Sequence, residues 1–189
     1  MMKNILTILL VLISLTSFSQ EYWRNYELEK ELLTQINNHR DSIGINTLVY
    51  DDVNTTALMW ADVLVKKAIK TGTSRLTHCN CQPGGENLIN LNASYSTNTK
   101  KLVSLDDEGY VVDMTKGIIT SWLNSPLHKE VLEYDDTYFS WIPSMERHTV
   151  IVYMYKVEGE YGGVRILVVY QNRHPKQYYI DIGYSHQDI

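Results

Sequence analysis

Apolar residues recur at helical spacing early in the chain. Residues 26–43 carry apolar side chains three or four positions apart, which is typical of a helix with one buried face. Asn25 can cap the start of this helix and Gly44 can end it. The apolar positions are Leu28, Leu32, Leu33, Ile36 and Ile43.

A second helix is predicted over about residues 53–70. Asp51 or Asp52 is expected to cap it, and Gly72 is expected to end it. Its apolar face is formed by Val53, Ala57, Trp60, Ala61, Leu64 and Ala68.

Two shorter helices follow around a proline. The pattern predicts the first over about residues 114–123, and it must stop before Pro126 because the residue preceding a proline disfavours helical backbone. The same proline suits the first position of a new helix over 126–133, capped by Ser125.

The pattern changes to alternation in the last third of the chain. Residues 149–155 and 164–171 are rich in β-branched and aromatic residues and predict two strands, joined by a turn over 158–163. A weaker strand is predicted over 137–142, and the polar residues 90–112 are interpreted as a long loop. Helices followed by strands predict an α+β fold with an antiparallel sheet.

Composition indicates a globular protein with one folded domain. The chain has 189 residues, 44% of them hydrophobic, and a net charge of −5. We place the domain at residues 26–173 and regard 174–189 as a tail that drapes over the surface or adds an edge strand. An acidic chain lacks the basic surface expected of a nucleic-acid-binding protein, so no nucleic-acid partner is expected.

The first nineteen residues resemble a secretory signal peptide. Lys3 precedes an apolar run over residues 5–15, and Ser17 and Ser19 fit the positions before a cleavage site. The alternative is an N-terminal anchor helix, although the run is shorter than the ~18 residues that span a bilayer. We therefore expect a secreted or periplasmic protein without a transmembrane segment in its mature form.

Three residues in two stretches carry candidate chemistry. His78 and Glu86 flank a Gly pair within residues 75–88, and His128 falls in the first turn of the predicted helix after Pro126. A helix N-terminus disfavours imidazolium, and a neutral imidazole is the better metal ligand. Two His and one carboxylate form a zinc ligand set with a position left for water. On spacing alone, loop histidines without a ligand remain the commoner alternative.

The order of these segments resembles the CAP superfamily, also called the SCP domain (cysteine-rich secretory proteins, antigen 5 and pathogenesis-related 1 proteins), and especially its compact bacterial members. The similarity covers roughly residues 28–172. The matching segments are LLTQINNHRDSIGINTLVYDD, ALMWADVLVKKAIKTG, LTH with GGENL, ITSWLNSPLHKEVL and VRILVVYQN. The resemblance implies a three-layer α-β-α sandwich with a central antiparallel sheet.

The resemblance also implies roles for the three candidate residues. His78 and His128 match the two cleft histidines of the family, and Glu86 matches the acidic residue of its Gly-Glu-Asn motif. Many members bind a divalent metal, usually zinc, through the two histidines. Animal and plant members carry a second Glu at the position where this chain has Ser125. Bacterial members lack that Glu as well. Its absence weakens the case for an acid/base role at position 125. Asn87 and Trp122 are expected to be structural.

Two functions follow from this reading. The first is a secreted, non-enzymatic CAP-domain protein whose cleft binds a divalent metal or a small ligand, a lipid being one class in the family, and whose surface meets an extracellular or envelope partner. The second is a zinc-dependent, peptidase-like hydrolase in which His78, Glu86 and His128 are catalytic and zinc activates water.

The two cysteines and one further histidine leave alternatives open. Cys79 and Cys81 are two residues apart, and extended backbone puts i,i+2 Cα atoms ~7 Å apart, so a disulfide needs a turn between them. Free thiols, intermolecular pairing, metal ligation and a redox role are the other readings. His39 is expected to be a solvated or capping residue of the first helix.

Overall fold

The computed structural model describes residues 22–51, 54–72, 75–78, 84–96, 98, 101–105, 111–134, 147–157 and 163–173. The proposed signal peptide, Cys79 and Cys81, the weak strand over 137–142, most of the turn over 158–163 and the tail over 174–189 lie outside the described residues.

The first two helices lie where the apolar pattern predicts them. Helix α1 spans Tyr26–Ser42, and the side chain of its N-cap residue Asn25 accepts a hydrogen bond from the backbone N–H of Leu28. Helix α2 spans Thr55–Thr71. It ends at Gly72, whose φ of 63° is left-handed and therefore suits glycine.

The predicted cap of α2 is wrong. The helix is capped by Asn54, whose side chain accepts a hydrogen bond from the N–H of Ala57, rather than by Asp51 or Asp52. Asp51 is instead buried beside the sheet, where its N–H donates to the backbone carbonyl of His148 and its own carbonyl accepts from the Thr149 hydroxyl. Residues 49–50 pair with residues 147–148 and fix this stretch of the chain, so the helix starts later than the pattern suggests.

The helices around Pro126 are confirmed. Helix α3 spans Met114–Asn124 and is capped by the Asp113 side chain, and helix α4 spans Pro126–Glu133. Ser125 occupies the N-cap position of α4, but its side chain makes no capping hydrogen bond.

Among the described residues, no helix combines the length and apolar composition that a membrane crossing needs.

Seven described strands form the sheet. The path of neighbouring strands is β1-β6-β7-β3-β4-β5, all antiparallel, and β2 pairs with β6 in parallel. The two strands predicted in the last third are confirmed as the adjacent pair β6 and β7. The strands are β1 Tyr22–Arg24, β2 Val49–Tyr50, β3 Gly84–Ser96, β4 Lys101–Leu105, β5 Val111–Asp113, β6 Arg147–Val157 and β7 Gly163–Arg173.

The loop interpretation of residues 90–112 is wrong. This stretch contains most of β3, all of β4 and the start of β5, and β3 pairs with β7 over ten residues from Gly84 to Ala93. Asparagines depress the strand propensity of β3. Pairing on both sides and burial of Leu88 against α2 override that local preference.

The described residues form a mixed α+β structure in which helices contact both faces of the sheet. Successive residues of a strand face opposite sides, so Val150 and Val152 pack with α1, α3 and α4, while Ile151 and Tyr155 pack with α2. The first cluster includes Leu32, Ile36, Ile118, Trp122, Leu132, Ile166, Val168 and Tyr170; the second includes Ala57, Ala61, Leu64, Val65, Leu167 and Val169.

Candidate functional site

His78 and Glu86 are in direct contact at the start of β3. Nδ1 of His78 lies 3.1 Å from Oε1 of Glu86. The Glu86 side chain is only 8% exposed, whereas that of His78 is 59% exposed. The amide nitrogen of Gln171 donates a 2.8 Å hydrogen bond to Oε2 of Glu86. Glu86 and Gln171 are register partners in the β3–β7 ladder, so the sheet itself fixes the carboxylate.

Helix α4 closely approaches the same end of β3 because residue 85 has no side chain. A Cβ atom added at Gly85 would lie 2.4 Å from Cγ1 of Val131, well inside van der Waals contact. His128 precedes Val131 by three positions, so the two residues share one side of the helix. Asn87 also donates a 2.8 Å hydrogen bond from its side-chain nitrogen to the backbone carbonyl of His128. These contacts hold His128 over the start of β3.

The imidazole of His128 is kept neutral near pH 7. Partial burial lowers the pKa of His128, and the charge of His78 lowers it further. The expected effect of the helix N-terminus has the same direction. We use "the cleft" below for His78, Glu86 and His128.

The cleft partly meets the geometry of a metal site. Donor atoms that share a tetrahedral zinc at ~2.0–2.1 Å lie roughly 3.3 Å apart. The 3.1 Å between His78 and Glu86 is close to that separation. Among the described residues, however, no three His, Cys, Asp or Glu side chains are grouped tightly enough to hold one ion. His128 would therefore have to move towards the pair to complete a three-ligand set.

Arg40 supports the cleft and was not predicted to do so. Its side chain is completely buried in the hydrophobic interior. It donates hydrogen bonds to three backbone carbonyls, those of Asn46 at 2.6 Å, Leu132 at 2.7 Å and Tyr134 at 2.8 Å. Two of these acceptors lie at the C-terminal end of α4, so Arg40 anchors the end of the helix opposite to His128. The sequence does indicate an unusual residue here, because Arg40 places a charge on the apolar side of α1, four residues after Ile36.

His39 was expected to be a solvated or capping residue of the first helix, but its side chain is half-buried and pairs with another helix. Its Nε2 lies 2.7 Å from Oε1 of Glu133, which joins α1 to the last turn of α4. Lys129 lies 3.7 Å from the same carboxylate oxygen. Burial of Trp122 in the core and the hydrogen bond of Asn87 confirm that these two residues are structural.

Comparison with known proteins adds no assignment. No family model matches the chain, and no curated protein matches it.

Proposed function

We propose that the chain is a secreted CAP-domain protein, without enzymatic activity, whose cleft binds a divalent metal ion of the zinc type. The order of the motifs over residues 28–172 supports the family, and the first nineteen residues support export. Helices on both faces of an antiparallel sheet are compatible with the three-layer sandwich that the family implies.

The contact between His78 and Glu86 carries the metal-binding proposal. Glu86 is buried and oriented by Gln171, so its carboxylate is preorganised before any ligand arrives. His78 is exposed enough to admit an ion, and the lowered pKa of His128 keeps that imidazole neutral and able to coordinate. A bound ion would supply a Lewis-acidic position at which a small ligand with an oxygen donor could bind.

Calorimetric titration with zinc at pH 7 tests this proposal. We expect one zinc per chain for the wild type, and loss of that binding in the His78→Ala/His128→Ala variant. The matched control is His39→Ala, because His39 pairs with Glu133 outside the cleft. Equal zinc binding by the double variant and the wild type would refute a site at the cleft.

A zinc-dependent hydrolase is the alternative, favoured by the carboxylate beside the exposed His78. Both oxygens of Glu86 already accept contacts, from His78 and from Gln171, which suits a fixed ligand better than a general base. A peptide-library assay on the zinc-loaded protein separates the two functions. Cleavage that disappears in Glu86→Gln, with zinc still bound, would establish the hydrolase and contradict the non-enzymatic proposal.

A further inference from the structure

A cavity lies between α1 and β2. Its volume is about 370 Å³, and none of the three cleft residues lines it. Small-molecule sites commonly measure ~300–1,000 Å³ and combine apolar walls with a few polar groups. The size alone therefore admits a ligand with a single ring.

The walls of this cavity are mainly aromatic and aliphatic. Tyr26 and Leu33 line it from α1, and Leu48 and Tyr50 line it from the β2 side. His148 on β6 also lines it and is almost completely buried. The imidazole of His148 lies edge-on to the Tyr170 ring, with the centroids 6.0 Å apart. Such surroundings suit a flat ring more than a flexible polar chain.

Most polar groups of the lining already have partners. The two carboxylate oxygens of Glu29 accept hydrogen bonds from Arg24, and one of them also accepts from the N–H of Val152. The Asn37 amide both donates to and accepts from the backbone of Leu48. The Thr34 hydroxyl donates to a carbonyl of its own helix. These groups shape the cavity but have little hydrogen-bonding capacity left for a ligand.

Lys30 is the cationic group that remains. It lines the cavity, is solvent-exposed, and has no ion-pair partner within the described part of the chain. The other nearby cation, Arg24, is neutralised by Glu29 at 2.7 Å. Burial and the charge of Arg40 lower the pKa of His148 to about 3, so its ring adds no charge at neutral pH. One unpaired ammonium beside an aromatic cavity is complementary to one anionic group attached to a ring.

We propose that the cavity between α1 and β2 binds a small aromatic carboxylate, with the ring against Leu33, Leu48 and Tyr50 and the carboxylate on Lys30. This site is independent of metal binding at the cleft, so its ligand does not require zinc.

Binding of phenylacetate, followed by NMR titration of the full chain without metal, tests the proposal. We expect shifts confined to residues of α1, β2 and His148, with a dissociation constant on the order of millimolar or tighter. Phenylacetamide, which has the same shape without the charge, is expected to bind ~2–5-fold more weakly because an exposed ion pair contributes modestly. Acetate, which lacks the ring, is expected not to bind.

Two variants and one control make the result decisive. Lys30→Gln should abolish the preference for phenylacetate over phenylacetamide, whereas Lys67→Gln on the exposed side of α2 should leave it unchanged. Thr34→Trp places a bulky ring at an exposed position of the lining and should block both probes without disturbing the core. The proposal is overturned if phenylacetate fails to bind, shifts other residues, or binds Lys30→Gln with its preference intact.

Discussion

Replacement of Gly85 by alanine tests whether the close approach of α4 to β3 builds the cleft. The added Cβ would lie 2.4 Å and 2.8 Å from the two methyl carbons of Val131, so one partner must retreat by about 1 Å. Valine has one strongly preferred rotamer in a helix, and rotation would exchange one close methyl for the other. The helix, rather than the side chain, is therefore expected to move, and His128 moves with it.

The expected destabilisation follows from overpacking. Forcing an extra methyl group into a packed interface typically costs about 1–3 kcal/mol. Gly85 does not have a positive φ, so its backbone conformation does not require glycine. The whole effect is therefore assigned to the contact with Val131. In the Gly85→Ala/Val131→Ala variant both close methyl carbons are absent, and we expect at least about 1 kcal/mol of the loss to be recovered.

Urea unfolding of the single and double variants measures this coupling, and zinc titration reports the displacement of His128. Gly163→Ala is the matched control, because no atom of the described residues lies within 4 Å of a Cβ built there. The control should change stability by less than about 1 kcal/mol. If Gly85→Ala is as stable as the control and shows no coupling to Val131→Ala, α4 does not lie on β3 as described.

Three further changes concern buried polar side chains. Arg40→Lys should lower the free energy of unfolding by at least about 2 kcal/mol, because one ammonium cannot replace a buried guanidinium that donates to three backbone carbonyls. Urea unfolding measures this loss. The pKa of His148 falls from 6.5 in the unfolded chain to about 3 in the fold. As the pH falls, His148 is therefore protonated first in the unfolded chain. Its contribution to the free energy of unfolding is complete above about pH 6.5 and declines towards pH 3 by up to about 1.4 kcal/mol per pH unit. Unfolding midpoints between pH 4 and 7.5 should show a shallower decline in His148→Phe, and parallel curves would contradict this assignment. Gln171→Met removes the donor on Glu86 and should weaken zinc binding about tenfold, while calorimetry showing unchanged affinity would mean that the carboxylate needs no support.

Elements with strong local signals could be predicted from the sequence. Helix α1 has a periodic apolar face with a cap at Asn25, and α4 begins at Pro126, so each carries its own boundaries. Strand β3 could not be recognised, because its asparagines are tolerated only through pairing with β7 and β4. Its identity as a strand depends on residues far away in the chain.

The same distinction applies to the candidate site. His78, Glu86 and His128 were predicted because the residue types and motif spacing are visible in the sequence. Gln171 was missed because its contact with Glu86 depends on the register of two strands 85 residues apart. Arg40 could have been noticed as a charge on an apolar helix face, but its three acceptors become known only from the packing of α4.

The position of β7 has a consequence for how the protein is made. This strand lies between β6 and β3, although it is the last strand described along the chain. While the ribosome is still adding residues 163–173, β3 has no neighbour on one side, and long-range pairing of this kind is slow to form. The sheet of a nascent chain therefore cannot be completed until residues 163–173 have been added, and premature termination before Gly163 would leave the edges of β3 and β6 open to aggregation.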